Sequence, residues 1–293
     1  MLNPKSPRIM KKLITLTVFL IAFSTIATSQ ISDLEKNTLV DFYNSTNGND
    51  WNNSWDLTKD VSDWQGITVT NNKVTEINLS MNNLNGYIPT SIQNLTSLKH
   101  LNLGFNQVSG TIPNEITKLQ SLESLNLFMN NLEGEIPSNI GALVNLKELV
   151  LYNNLLTGTL PLSIYDLKNL ETLQLSSNKF SGSILSNIEN LQNLTTLSMF
   201  DNSMYGQIPN QLGNLSKLQE LVLANNLFEG KVPTELGKLQ KLEILMLSNN
   251  RFVGAINENI QNLPRLNVFE YSNNPKKIEL LENPVSQTNF APQ

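Results

Sequence analysis

The chain offers little of the chemistry that enzymes use. His100 is its only histidine, and there is no cysteine. Acid–base or nucleophilic catalysis needs a titratable group with a partner that tunes it, and the sequence shows none for His100. Asp50, Asp56, Asp60 and Asp63 supply carboxylates, but without the spacing of a calcium loop. No G-x-S-x-G elbow, zinc-spaced set or phosphate-cradling glycine loop is present. The expectation is a protein that is not an enzyme and needs no cofactor or metal. Two groups of residues remain to be explained. One is a series of asparagines. The other is a group of large apolar side chains: Phe105, Phe128, Met129, Val150, Tyr152 and Phe200.

Both groups follow one period of 24 residues, clearest from Val74 to Leu98. The unit reads L-x-L-x-x-N-x-L-x-G-x-I-P-x-x-I-x-x-L-x-x-L-x-x. Asn82 at its centre returns as Asn106, Asn130, Asn154, Asn178, Asn202, Asn226, Asn250 and Asn274, and Gly86 returns in phase down to Gly254. A fixed period in this range means a solenoid. Ile77 and Leu79 alternate with Asn78, which predicts a short strand buried on one face. Ile92, Leu95 and Leu98 stand three apart, which suits a 3₁₀ or loosely helical return. One such coil has too few aliphatic side chains to stand alone, so coils must stack. The asparagine amides are expected to satisfy backbone groups left inside each turn. The glycines permit a backbone barred to other residues. Pro89, Pro113, Pro137, Pro161, Pro209 and Pro233 pre-set φ where the return begins. Leu185 and Asn257 interrupt that column, and their coils are expected to be locally looser.

This unit resembles the leucine-rich repeat, in the L-x-G-x-I-P subclass common in plant receptor ectodomains. The resemblance covers residues 74 to 274, eight full units and a partial one. It implies an α/β solenoid: a right-handed, curved superhelix with a parallel sheet on the concave side and a 3₁₀ or irregular convex side. Plant members usually pair cysteines in their caps. This chain departs from them there, and is more similar to secreted bacterial repeat proteins of the same subclass.

The flanks read differently. Residues 1 to 29 are expected to be an export signal, with a basic start at Met10-Lys11-Lys12, an apolar run from Leu13 to Ala27 and small residues before Gln30. Met10 is a candidate start as good as Met1. The apolar run is too short to span a bilayer, and no other stretch is apolar enough. Beyond residue 29 the chain keeps sixteen basic against twenty-five acidic residues, a net of −9, which argues against nucleic acid as a partner. Residues 30 to 73 read as an N-terminal cap. Ser32-Asp33-Leu34-Glu35 has capping-box spacing, and Leu39, Phe42 and Tyr43 share a helical face. All three tryptophans, Trp51, Trp55 and Trp64, fall in the cap and are expected to plug the open end of the first coil. Residues 275 to 293 read as a polar cap and tail. Sequons at Asn44, Asn52, Asn78, Asn94, Asn193 and Asn214 matter only in a eukaryotic host.

The strand positions free of core duty line the concave sheet. Phe105, Phe128, Met129, Val150, Tyr152 and Phe200 gather on its early and middle coils. Exposed patches of this kind mark binding surfaces, and aromatics are favoured anchors. The leading expectation is an exported, extracellular or cell-surface scaffold that binds a protein or peptide there. The alternative is carbohydrate or cell-wall binding, including inhibition of a polysaccharide-degrading enzyme, with Trp51 and Trp55 stacking on sugars. An ice-binding lattice is a weak third, because the column from Tyr87 through Thr111 and Glu135 to Ala255 is irregular.

Overall fold

A computed structural model describes residues 31–275. The expected export signal, and the tail beyond Pro275, lie outside the described residues.

Each coil contributes one short strand, because its two leucines turn inward while their neighbours face out. The strands run from Lys73–Asn78 and His100–Asn102 to Ile244–Met246 and Val268–Glu270, all parallel and in order. The register advances by one repeat per strand: Leu101 pairs with Leu125, and Leu125 with Leu149. Ile67–Thr70 adds an antiparallel strand against Lys73–Asn78, which completes a ten-stranded sheet. The returns are 3₁₀ turns such as Thr90–Asn94 and Asn210–Asn214. α-Helix among the described residues is confined to Asp33–Ser45 and Glu258–Gln261. Two further parallel ladders, four strands each, line the flank where the L-x-G segments meet.

The asparagines close each turn. Asn154 is buried; its Nδ2 donates to the carbonyls of Leu127 and Leu151, each at 3.0 Å, and its Oδ1 accepts from the Leu132 N–H at 3.0 Å. Leu127 and Leu132 belong to the preceding coil, so one amide binds two coils together. Asn130 and Asn226 make the same three contacts one repeat in phase. The glycines of the L-x-G step take positive φ throughout, 72° at Gly110 and 81° at Gly158.

The interrupted proline column does not loosen its coils. Leu185 adopts φ −83° and ψ 159°, close to the prolines, and the 3₁₀ turn Ser186–Asn190 follows with Ile188 fully buried. A leucine has an N–H that proline lacks, and Tyr165 of the preceding coil accepts it at 3.1 Å through its buried hydroxyl. Asn257 instead caps a short α-turn, its side chain accepting from the Asn259 N–H at 2.9 Å.

At the N-terminal end, Leu39, Phe42 and Tyr43 are buried from helix Asp33–Ser45. Only half of the expected capping box forms. The Glu35 N–H donates to Ser32 Oγ at 3.3 Å, but the Glu35 side chain turns inward. It is 1% exposed, with no hydrogen bond to either oxygen and Lys73 Nζ at 3.6 Å. At the other end, Phe269 occupies the phase of the fully buried Leu221 and Leu245 yet is 38% exposed, because no described coil covers it.

Asn154→Ala is expected to lower stability by roughly 3 kcal/mol, since three backbone groups lose their partners in a buried turn. Asn187→Ala, on an exposed side chain, should stay within about 0.5 kcal/mol of the parent. Equilibrium urea unfolding of both variants checks the contrast.

Candidate functional site

The concave sheet presents its outward residues in columns set by the 24-residue step. Strand alternation puts positions such as His100 and Asn102 outward around the buried Leu101. His100 itself is exposed. The structure brings together three of the six apolar residues singled out above. Phe105 meets Phe128 edge-on with ring centroids 5.3 Å apart, and Phe128 stacks on Tyr152 at 4.9 Å and 17°. Such pairs are worth about 0.5–1.5 kcal/mol beyond the area they bury. Phe105 remains 41% exposed, while Phe128 and Tyr152 are half-buried. Met129 and Val150 are half-buried beside them. Phe200 is half-buried too, but it stands two coils from Tyr152 and, among the described residues, touches no other aromatic ring.

Gly104 makes the stack possible. A Cβ there would come within 2.5 Å of the Phe128 ring, so the ring lies across the space that glycine leaves. Nothing in the repeat pattern flags Gly104, because it is out of phase with the other glycines.

Not every outward position is free. Ser198, Val222, Ala224 and Ser248 are buried. Strands lie only about 4.8 Å apart, so small side chains sink below larger neighbours. Ala224 sits between Phe200 and Ser248 in its column, and Ser198 shares a 2.7 Å hydrogen bond with Ser176.

The rim of the face carries a conformational constraint that the periodicity does not reveal. Met81, Phe105, Met129, Asn153, Ser177, Asp201, Asn225, Asn249 and Asn273 all have φ between 52° and 57°. Left-handed backbone suits asparagine and aspartate, whereas a bulky side chain there is an outlier. Six of the nine are Asn, Asp or Ser; the three at the N-terminal end are Met, Phe and Met. Met81 is 64% exposed, so no packing compensates its strain. With Phe105, Asn52 and Gln107 it lines a shallow depression of about 340 Å³. The recurrence of Asn and Asp in one column is the sequence signal that would have exposed this turn.

The three tryptophans take no part in a surface. Trp51 and Trp55 are each 5% exposed and Trp64 is buried deeper. Trp55 stacks on Trp64 at 4.8 Å and meets Trp51 edge-on at 4.8 Å. Each indole N–H donates to a backbone carbonyl: Thr46, Gln65 and Asp56 respectively. The sugar-stacking role considered for Trp51 and Trp55 is therefore withdrawn, because neither ring has a free face.

Electrostatically the face is one-sided. Its outward columns contain no lysine or arginine. The nearest lysines, Lys99 and Lys147, lie at its margin and are both held by Glu123, at 3.5 and 2.7 Å. The Lys147 hydrogen bond keeps the Glu123 carboxyl below its ordinary pKa.

The leucine-rich repeat region model matches residues 73–226, and a leucine-rich repeat model matches 217–239 and 241–263. The chain is a leucine-rich repeat protein. No curated protein matches it. Among solved structures, the ectodomain of the Arabidopsis thaliana receptor kinase GASSHO1/SCHENGEN3, in complex with CASPARIAN STRIP INTEGRITY FACTOR 2, is 38% identical, with a TM-score of 0.71, over 73% of this chain and 26% of its own. The Arabidopsis receptor kinase HAESA ectodomain, in complex with an N-terminally extended IDA peptide hormone ligand, is 31% identical, with a TM-score of 0.75, over 82% and 41%. This leucine-rich repeat chain thus spans about a quarter to two fifths of those ectodomains. A plant ice-binding protein, 20% identical with a TM-score of 0.55 over 83% and 96%, shares the fold alone. Among the described residues no helix is long and apolar enough to cross a membrane.

Met81→Asn is expected to raise stability by about 1 kcal/mol, by placing a left-handed-tolerant residue at the rim. Asn249→Met, the reverse exchange in a later coil, should cost a similar amount. Thermal unfolding of the pair reads the sign directly.

Proposed function

We propose that this leucine-rich repeat protein is an exported, non-catalytic recognition scaffold, acting outside the cell or at its surface. Its concave face between Phe105 and Tyr152 binds an extended peptide or protein segment. The observation that carries this reading is the stack of Phe105, Phe128 and Tyr152. These rings add nothing to the leucine core, yet they are ordered against one another with edges open to solvent. Preorganised aromatics of this kind are the usual anchors of an interface. The GASSHO1/SCHENGEN3 and HAESA ectodomains, solved with CASPARIAN STRIP INTEGRITY FACTOR 2 and with a peptide hormone, support this class of ligand. Carbohydrate binding is not favoured, since the tryptophans that would stack on sugar are enclosed.

The test compares wild type with two variants in affinity capture from the native host's envelope and medium. Phe128→Ala/Tyr152→Ala removes the anchors. Gly104→Ala keeps every aromatic but pushes the Phe128 ring aside. Both should fold, as judged by circular dichroism, and both should lose the captured partner, with affinity down at least about tenfold for the double variant. Equal capture by folded variants overturns the proposal.

A further inference from the structure

The outward positions of the concave strands and the rim carry Glu76, Glu148, Asp201, Glu220 and Glu270 against a single histidine, His100, and no lysine or arginine; Lys99 and Lys147 at the margin are taken up by Glu123. A surface of one sign concentrates ligands of the other. Three of these glutamates already have a donor. Glu76 accepts from Thr68 Oγ1 at 3.1 Å, Glu148 from Ser124 Oγ at 2.8 Å, and Glu270 from Ser248 Oγ at 3.3 Å.

Glu220 differs. It is half-buried, and among the described residues no side chain bonds or pairs with its carboxylate. In register it lies between Thr196 and Ile244, with the buried Val222 two residues along its own strand. This burial pushes its carboxyl above the ordinary pKa. A carboxylate in such a place has lost part of its hydration and gained no donor in return, so a cation that arrives there is favoured. The folded chain supplies none. A ligand can.

The spacing defines what that ligand must look like. Glu220 is three coils beyond Glu148, which shares a coil with Tyr152. Three steps of the sheet are about 14 Å, and Tyr152 lies a further four residues, about 13 Å, along the strand from Glu148, so the diagonal is about 19 Å, the reach of roughly six residues of extended chain. The ground between holds small side chains, including Ser176 and Ser198, bonded to each other.

We propose that the ligand is a cationic segment lying across the coils. An aromatic or aliphatic side chain sits on the Phe105–Phe128–Tyr152 stack, and a lysine or arginine about six residues away pairs with Glu220. This rests on the concave-face reading above and adds the ligand's chemistry to it.

A phage-displayed random dodecapeptide library, selected on the immobilised protein, provides the probe. Enriched peptides are expected to share an apolar and a basic residue about six apart and to weaken as salt rises. Their affinity should fall about tenfold on Glu220→Gln, which keeps shape and removes charge. It should also fall on Phe128→Ala/Tyr152→Ala. Peptides that need the aromatic pair but carry no basic residue, or that bind Glu220→Gln as well as wild type, overturn this inference and leave the concave-face reading standing. Peptides indifferent to the aromatic pair, or a library that yields no binder, overturn both.

Discussion

Backbone carbonyls that turn inward at the end of each strand must find donors where no water reaches. One asparagine amide per coil supplies them. It donates twice, to its own coil and to the one before, and it accepts once from the one before. The stack is therefore joined by directional bonds as well as by leucine packing. An aliphatic core tolerates small slips, but an amide with three fixed partners does not. That is why the period admits no insertion from Asn82 to Asn274.

The same turn shapes the outer surface. The residue before each ladder asparagine takes a left-handed backbone. Phe105 thus precedes Asn106, and Met129 precedes Asn130. In the later coils that position goes to residues that bear the conformation easily. In the first three it goes to large apolar side chains, and the second and third of these coils also contribute Phe105 and Phe128 to the aromatic stack. Of the three, Met81 keeps its strain without a packing return.

The two ends of the solenoid solve the open-coil problem differently. At the N-terminus five aromatic residues interlock, from Phe42 to Trp64, and every indole N–H is satisfied. One charge is nevertheless enclosed there, Glu35, opposite a single lysine. At the other end of the described residues, the last strand leaves Val268 and the inward-phase Phe269 exposed, because no described coil covers them. Stacking energy is shared between neighbours, so terminal coils always have one side to cover by other means.

Much of this was legible in the residues alone. A period of 24 with leucines at fixed phases fixes the coil, the parallel sheet and the inward amides, because only one stacking register buries all of those side chains at once. The apolar residues on the outward phases followed from strand alternation. Contacts across coils could not be read this way. That Phe128 leans over Gly104, that Tyr165 receives the N–H of Leu185, that Val222 and Ala224 sink while Phe200 stands apart, and that Trp51 and Trp55 enclose each other are all decided by side chains a full repeat or more away in the chain. Periodicity states which way a side chain points. Only the packed stack decides what it meets there, because that depends on the volumes of its neighbours in the adjoining coils.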